Sequence, residues 1–121
     1  MTLSADVALW NSQAITSDEN LKNIIENVDI AVEDIAKVRI VDYEFKSKEG
    51  DIHTGTIAQD WQTILPNVIR EIDDEKHLGL DYASTALVSS VVDAREIVKL
   101  KQENAELKER LAAIEARLAQ L

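Results

Sequence analysis

The C-terminal stretch IVKLKQENAELKERLAAIEARLAQL, residues 97–121, repeats apolar residues in a seven-residue pattern. It contains neither glycine nor proline, which predicts a helix over its whole length. Helices with such a repeat wind around one another as a left-handed coiled coil. The residues at its a and d positions are Ile97, Leu100, Asn104, Leu107, Leu111, Ile114, Leu118 and Leu121. The stretch therefore predicts an oligomer held together by its C-terminal helix.

Charged residues beside this repeat favour a parallel, in-register arrangement of identical chains. Each g residue can face the e residue of the next heptad on a neighbouring helix, and all three such pairs are of opposite sign. The pairs are Glu96–Lys101, Glu103–Lys108 and Arg110–Glu115. The polar Asn104 at an a position favours a dimer, whereas the mixed isoleucine and leucine core also permits a trimer. A lone amphipathic helix packed on its own chain is the alternative.

Composition limits the rest of the chain to one modest soluble domain. The chain has 121 residues, of which 45% are hydrophobic and 30% charged. All five aromatic residues precede position 83, so any compact core must be small and must lie in the first two thirds. A chain of this kind is expected to need partners for stability.

Charge and residue usage argue against several classes of function. Residues 1–94 carry a balance of −11, against +1 for residues 95–121, and an acidic head of this kind argues against nucleic-acid binding. The chain has no cysteine, no apolar run of membrane-spanning length and no signal-peptide pattern. His53 and His77 lack metal-ligand spacing, so we expect no metal and no cofactor.

The residues before the coil predict short helices and a few strands. Residues 1–16 have no clear period and are expected to form a lead-in, with Leu9 and Trp10 able to dock on another surface. Helical spacing predicts helices over 21–28, 30–36 and 59–65, the last stopped by Pro66. Alternation predicts strands at 37–47, 52–58, 67–73 and 77–82, with Gly50 in the first turn. From about Ala83 one helix is predicted to run to Leu121. The fold class is thus α+β, a small mixed head followed by a long helix.

The segment ITSDENLKNI, residues 15–24, has two interpretations. Thr16 and Glu19 fit a capping box at a helix start, where Ser17 would serve as a cap. Alternatively, Ser17 stands five residues before Lys22, and a serine activated by a lysine is a known arrangement for acyl chemistry. The local pattern alone leaves both interpretations open.

The order of motifs resembles a known family over residues 17 to about 100. The matching segments are SDENLKNI (17–24), VDYEF (41–45), HTGTIAQD (53–60), LP (65–66) and LDY (80–82). The chain resembles the intramolecular chaperone auto-processing domain, or peptidase S74 domain, of phage tailspike and tail-fibre proteins. A related domain occurs in the myelin regulatory factor transcription factors.

The resemblance implies a domain that trimerises, assists the folding of an upstream fibre and then cuts itself off in a single turnover. It places the nucleophile on Ser17 and the general base on Lys22, with Thr16 and Asp18 flanking the cut. Asn20, His53 and Gln59 are possible supporting residues. The cut is expected beside Ser17, either at Thr16–Ser17 through an ester or at Ser17–Asp18. A lysine base must be neutral, which requires burial or nearby positive charge, so we expect the assembled trimer to bury Lys22.

These expectations give three segments: the lead-in 1–16, an auto-processing head 17–94 and the oligomerisation helix 95–121. The implied partners are two further copies of the chain and the upstream fibre, with neither nucleic acid nor membrane. The implied setting is a phage protein made in the bacterial cytoplasm and released from the mature fibre by cleavage. The alternatives are a non-cleaving trimerisation module of the same fold and a coiled-coil adaptor whose head binds another protein. An adaptor predicts a large exposed apolar patch on the head.

Overall fold

The computed structural model describes residues 14–121. These residues form short helices and two small antiparallel sheets, followed by one long helix, which confirms the predicted α+β class. The predicted docking of Leu9 and Trp10 lies outside the described residues. In chain order the elements are a 3₁₀ turn at Glu19–Leu21, α1 (Val32–Ile35), β1 (Val41–Tyr43), β2 (His53–Gly55), α2 (Ala58–Gln62), a 3₁₀ turn at Pro66–Val68, β3 (Ile69–Glu71), β4 (Leu78–Leu80) and α3 (Tyr82–Ala119).

The four predicted strands are present but shorter, and they pair as two two-stranded sheets. β1 pairs with β2 in the register Val41↔Gly55, and β3 pairs with β4 in the register Ile69↔Leu80. Gly50 has a φ of 87°, which suits glycine in the first turn. Ile40 and Phe45, on either side of β1, are both exposed. Only three residues on each strand pair, and no second layer covers those two side chains.

The core of the head is small, as its composition predicted. Trp61, Leu65 and Val68 are its buried members. Half-buried side chains from the flanking elements pack against them, namely Ile30, Ile35, Val38, Ile64, Ile69, Leu80 and Val88. The indole Nε1 of Trp61 donates to Thr56 Oγ1 at 3.1 Å, which satisfies its polar atom. A core of this size gives the single chain limited hydrophobic stabilisation.

An ion pair fastens the segment before β1 to α2. Arg39 Nε and Nη2 donate to the two carboxylate oxygens of Asp60 at 2.8 and 2.9 Å, and the Arg39 backbone N–H donates at 3.1 Å. These hydrogen bonds, those of the side chain first, lower the pKa of the Asp60 carboxyl. The contact is therefore expected to weaken in acid, as pH falls through the lowered pKa of Asp60.

The predicted helix over residues 21–28 is wrong. Helical geometry ends at Leu21, and Lys22 is already extended, with φ −118° and ψ 141°. The side chains of Leu21, Ile24, Ile25 and Val28 are 56–93% exposed. A short helix is unstable without tertiary contacts, and asparagines and β-branched residues weaken this one further. The apolar spacing therefore describes side chains that the single chain does not cover.

The long helix α3 confirms the predicted terminal helix. Its 38 residues make it about 57 Å long. Asp81 caps its N-terminus by accepting from the Ser84 backbone N–H at 3.1 Å. Thr85, Val88 and Val92 pack on the head, whereas Leu87 and Val91 are exposed.

The coil segment of α3 extends away from the head. Every residue from 97 to 121 is exposed, and the apolar a and d side chains are 51–100% exposed where they are large. A groove on its surface is lined by Ile97, Leu100, Lys101, Glu103, Asn104 and Leu107. The alternative of a helix packed on its own chain is therefore wrong for these residues.

Gly79 in β4 is predicted to be intolerant of a side chain. A Cβ at this position would lie 2.6 Å from Ile72 Cγ2, and the branched Ile72 can yield only by leaving its χ1 rotamer. Gly79→Ala should lower the free energy of unfolding by about 1 kcal/mol, measured by urea denaturation. In an Ile72→Ala background, where the methyl is absent, the same change should cost much less. An equal loss in both backgrounds would contradict the steric explanation.

Candidate functional site

Ser17 and Lys22 are in direct contact. Lys22 Nζ donates to Ser17 Oγ at 2.7 Å, across the single 3₁₀ turn of residues Glu19–Leu21. Ser17 precedes this turn and Lys22 ends it, so that one turn brings together side chains five residues apart. The spacing noted in the sequence therefore places a hydroxyl and an amine at hydrogen-bonding distance.

Ser17 is not the cap of this turn. The cap is Asp18, whose Oδ1 accepts from the Asn20 backbone N–H at 2.9 Å. The predicted capping box of Thr16 and Glu19 is wrong, because no helix follows that could use it. The hydroxyl of Ser17 is thus left for Lys22.

Both members of the pair are exposed to solvent in the single chain. The turn between them contains no buried residue, and Thr16 and Asp18 on either side of Ser17 are exposed as well. The peptide bonds beside Ser17 therefore lie on the surface of the head, outside its packed core.

The predicted supporting residues lie in different places. Asn20 belongs to the same turn, and its Nδ2 donates to Asp18 Oδ1 at 3.1 Å. His53 lies on β2, where its ring stacks on Tyr43 with centroids 5.7 Å apart and its Nε2 lies 3.1 Å from Asp51 Oδ2. Gln59 is exposed on α2. Among residues 14–121 no hydrogen bond joins His53 or Gln59 to the Ser17–Lys22 pair.

The remaining polar features lie apart from the pair. A depression of about 520 Å³ beside α1 and α2 is lined by Asp29, Asp34, Lys37, Asp60 and other residues, with neither Ser17 nor Lys22 among them. Residues 14–121 contain no group of three acidic or histidine side chains that could hold a metal ion. His77 instead closes the turn before β4, with Nδ1 2.6 Å from Asp73 Oδ2. No helix in the same residues is long and apolar enough to cross a membrane.

The start of α3 is packed against the first hairpin by a contact that sequence reasoning missed. The Tyr82 hydroxyl donates to the Thr56 carbonyl at 3.3 Å and lies close to Gly55. Burial, with Tyr43 nearby, raises the pKa of Tyr82. Gly55 leaves room for this ring, since a Cβ there would lie 3.1 Å from the hydroxyl. The sequence signal for this contact is a glycine within a strand, which is typical of a bulge or of close backbone packing.

These features define a small α+β head followed by a projecting helix. An exposed serine–lysine pair lies near the N-terminal end of the head. Residues 17–70 match the family model described as "Chaperone of endosialidase", or Peptidase_S74. Over these residues the match confirms the resemblance to the peptidase S74 chaperone family, and it begins at Ser17. The description of the family supports an intramolecular chaperone role.

A second comparison extends along nearly the whole chain. The chain is 28% identical to Myelin regulatory factor homolog 1 of Caenorhabditis elegans over 130 aligned positions. These cover 98% of this chain and 14% of that protein. The chain thus spans a small part of the length of this relative.

Proposed function

We propose that this chain is an intramolecular chaperone that assembles as a parallel trimer and releases itself by serine–lysine autoproteolysis beside Ser17. The contact of 2.7 Å between Lys22 Nζ and Ser17 Oγ carries this proposal. It is supported by the family match over residues 17–70 and by the exposed coil face on α3. The upstream client is proposed to be a phage fibre or tailspike segment, folded in the bacterial cytoplasm and freed from this domain by the cut.

The proposed chemistry uses Lys22 Nζ and Ser17 Oγ. In the structure Nζ donates a proton to this hydrogen bond, whereas in the reaction Oγ gives its proton to Nζ. A neutral Lys22 amine accepts the proton of the Ser17 hydroxyl while Oγ attacks a neighbouring carbonyl carbon. Attack on the Thr16 carbonyl forms an ester to Ser17, as the C–N bond breaks and the released nitrogen takes a proton from Lys22. Water then hydrolyses the ester. The alternative cut, at Ser17–Asp18, would give fragments that differ from these by one serine.

The first alternative is a trimerisation module of the same fold that never cuts. In that module Ser17 was expected to cap a helix, but Asp18 is the residue that caps the turn. The second alternative, an adaptor, would use exposed apolar side chains on the head, and the head has them at residues 21–28. The match to a chaperone family favours a different role for this surface, namely a contact between copies of the chain.

The test is the denatured intact mass of the chain fused to its natural upstream segment, with Ser17→Ala beside it. The parent should give two fragments that meet next to Ser17, and the variant should remain whole. Ser47→Ala is the matched control, since Ser47 is exposed in the hairpin turn and far along the chain from Lys22. A parent that is trimeric, folded and uncut would contradict autoproteolysis and leave an assembly module.

A further inference from the structure

The turn that joins Ser17 to Lys22 receives little support from the rest of the head. None of its residues is buried, and the Leu21 side chain is 73% exposed. Its backbone bonds run from Leu21 N–H to the Asp18 carbonyl at 3.0 Å and from Lys22 N–H to the Glu19 carbonyl at 3.1 Å. Because a 3₁₀ turn of three residues is marginal by itself, local side-chain bonds must contribute strongly to its geometry.

Asp18 provides those bonds. Its Oδ1 accepts from both the backbone N–H and the side-chain Nδ2 of Asn20, at 2.9 and 3.1 Å. These two bonds fix the backbone from Asp18 to Asn20, which lies between Ser17 and Lys22. We propose that Asp18 is a positioning residue that sets the distance between Ser17 Oγ and Lys22 Nζ, an inference that rests on the proposed autoproteolysis.

The charge of the Asp18 carboxylate has to be tested separately from its hydrogen bonds. A negative charge near a lysine favours its ammonium form, whereas the reaction requires the neutral amine. Asp18 should therefore assist cleavage by its hydrogen bonds and not by its charge. Asparagine accepts the same hydrogen bonds at a cap without the charge, so Asp18→Asn separates the two effects.

The experiment compares the cleavage rates of Asp18→Ala and Asp18→Asn in the full fusion protein, measured on the trimer fraction. Asp18→Ala should slow cleavage by about tenfold or more, because small misplacements of reacting groups are costly. Asp18→Asn should restore cleavage to within about threefold of the parent rate. Glu19→Ala is the matched control, since it removes a neighbouring charge from a side chain without a hydrogen bond in residues 14–121.

A second readout does not depend on cleavage. In a Ser17→Ala background, amide hydrogen exchange at Leu21 and Lys22 should be faster with Asp18→Ala and unchanged with Asp18→Asn. Parent-like cleavage and exchange in Asp18→Ala would overturn the inference, as would Asp18→Asn being as slow as Asp18→Ala. If the parent fusion itself is never cut, the proposed function fails. The exchange comparison then decides separately whether Asp18 organises the turn.

Discussion

A chain carrying Lys22→Met is expected to assemble normally and to leave the bond beside Ser17 intact. Methionine keeps an unbranched side chain that is one atom shorter, and it has no group that can take the Ser17 proton. Lys22 Nζ is the basic nitrogen that hydrogen-bonds Ser17 Oγ in residues 14–121. Loss of a positioned general base costs about 10²–10⁴ in rate. Intact mass against time should therefore show a loss of at least about a hundredfold.

Two further variants identify the property of Lys22 that matters. Lys22→Arg keeps the positive charge and a nitrogen donor, but a guanidinium does not become neutral in proteins, so this variant should be as inactive as Lys22→Met. Lys37→Met is the matched control, because Lys37 is an exposed lysine of the same head. Its Nζ lies 4.0 Å from Asp34 Oδ1, so it pairs with a different residue. Rapid cleavage by Lys22→Arg would show that Lys22 contributes charge or position, and would require another base.

The exposure of the pair links chemistry to assembly. Both side chains face water in the single chain, whereas burial is what favours the neutral form of a lysine. The nearby side chains of Leu21, Ile24 and Ile25 are exposed and apolar, and are suited to cover the pair when copies associate. The expectation that the trimer buries Lys22 is consistent with this arrangement and remains a prediction.

The elements predicted correctly are those whose sequence signals are local and do not depend on contacts with distant parts of the chain. The terminal helix, the two hairpins and the helix before Pro66 have local signals, and the structure contains all of them. The helix over 21–28 was mispredicted because its apolar spacing resembles that of a helix packed on a core. Within residues 14–121 no core covers these side chains, so the pattern alone could not determine the backbone.

The candidate site was predictable in its residues but not in its geometry. The spacing of Ser17 and Lys22 and the family resemblance identified the pair, yet Lys22 was expected to lie in a helix over 21–28. The structure instead has one turn capped by Asp18, which the resemblance marked only as a residue flanking the cut. The Arg39–Asp60 ion pair joins residues 21 apart in sequence, and no local pattern indicates such a pair.

Breaking the coil is expected to abolish cleavage without touching the head. Leu107 and Ile114 are both d residues, and they are 60% and 51% exposed in the single chain. Leu107→Asp with Ile114→Asp would place two carboxylates per chain in the apolar seam, where burying unpaired charge is prohibitive. The variant should be monomeric in light scattering and should remain uncut, if assembly is what makes Lys22 a base.

The control must add the same charge to the same helix outside the seam. Ala105→Asp with Ala112→Asp does so, since both are b positions seven residues apart, as Leu107 and Ile114 are, and both are exposed. This control should stay oligomeric and cut at a rate close to that of the parent, because b positions lie outside the apolar seam. Aspartate lowers helix propensity similarly in both variants, so this effect cancels in the comparison. A monomeric seam variant that still cuts at the parent rate would show that the single chain completes the site by itself. Assembly would then serve only the folding of the client.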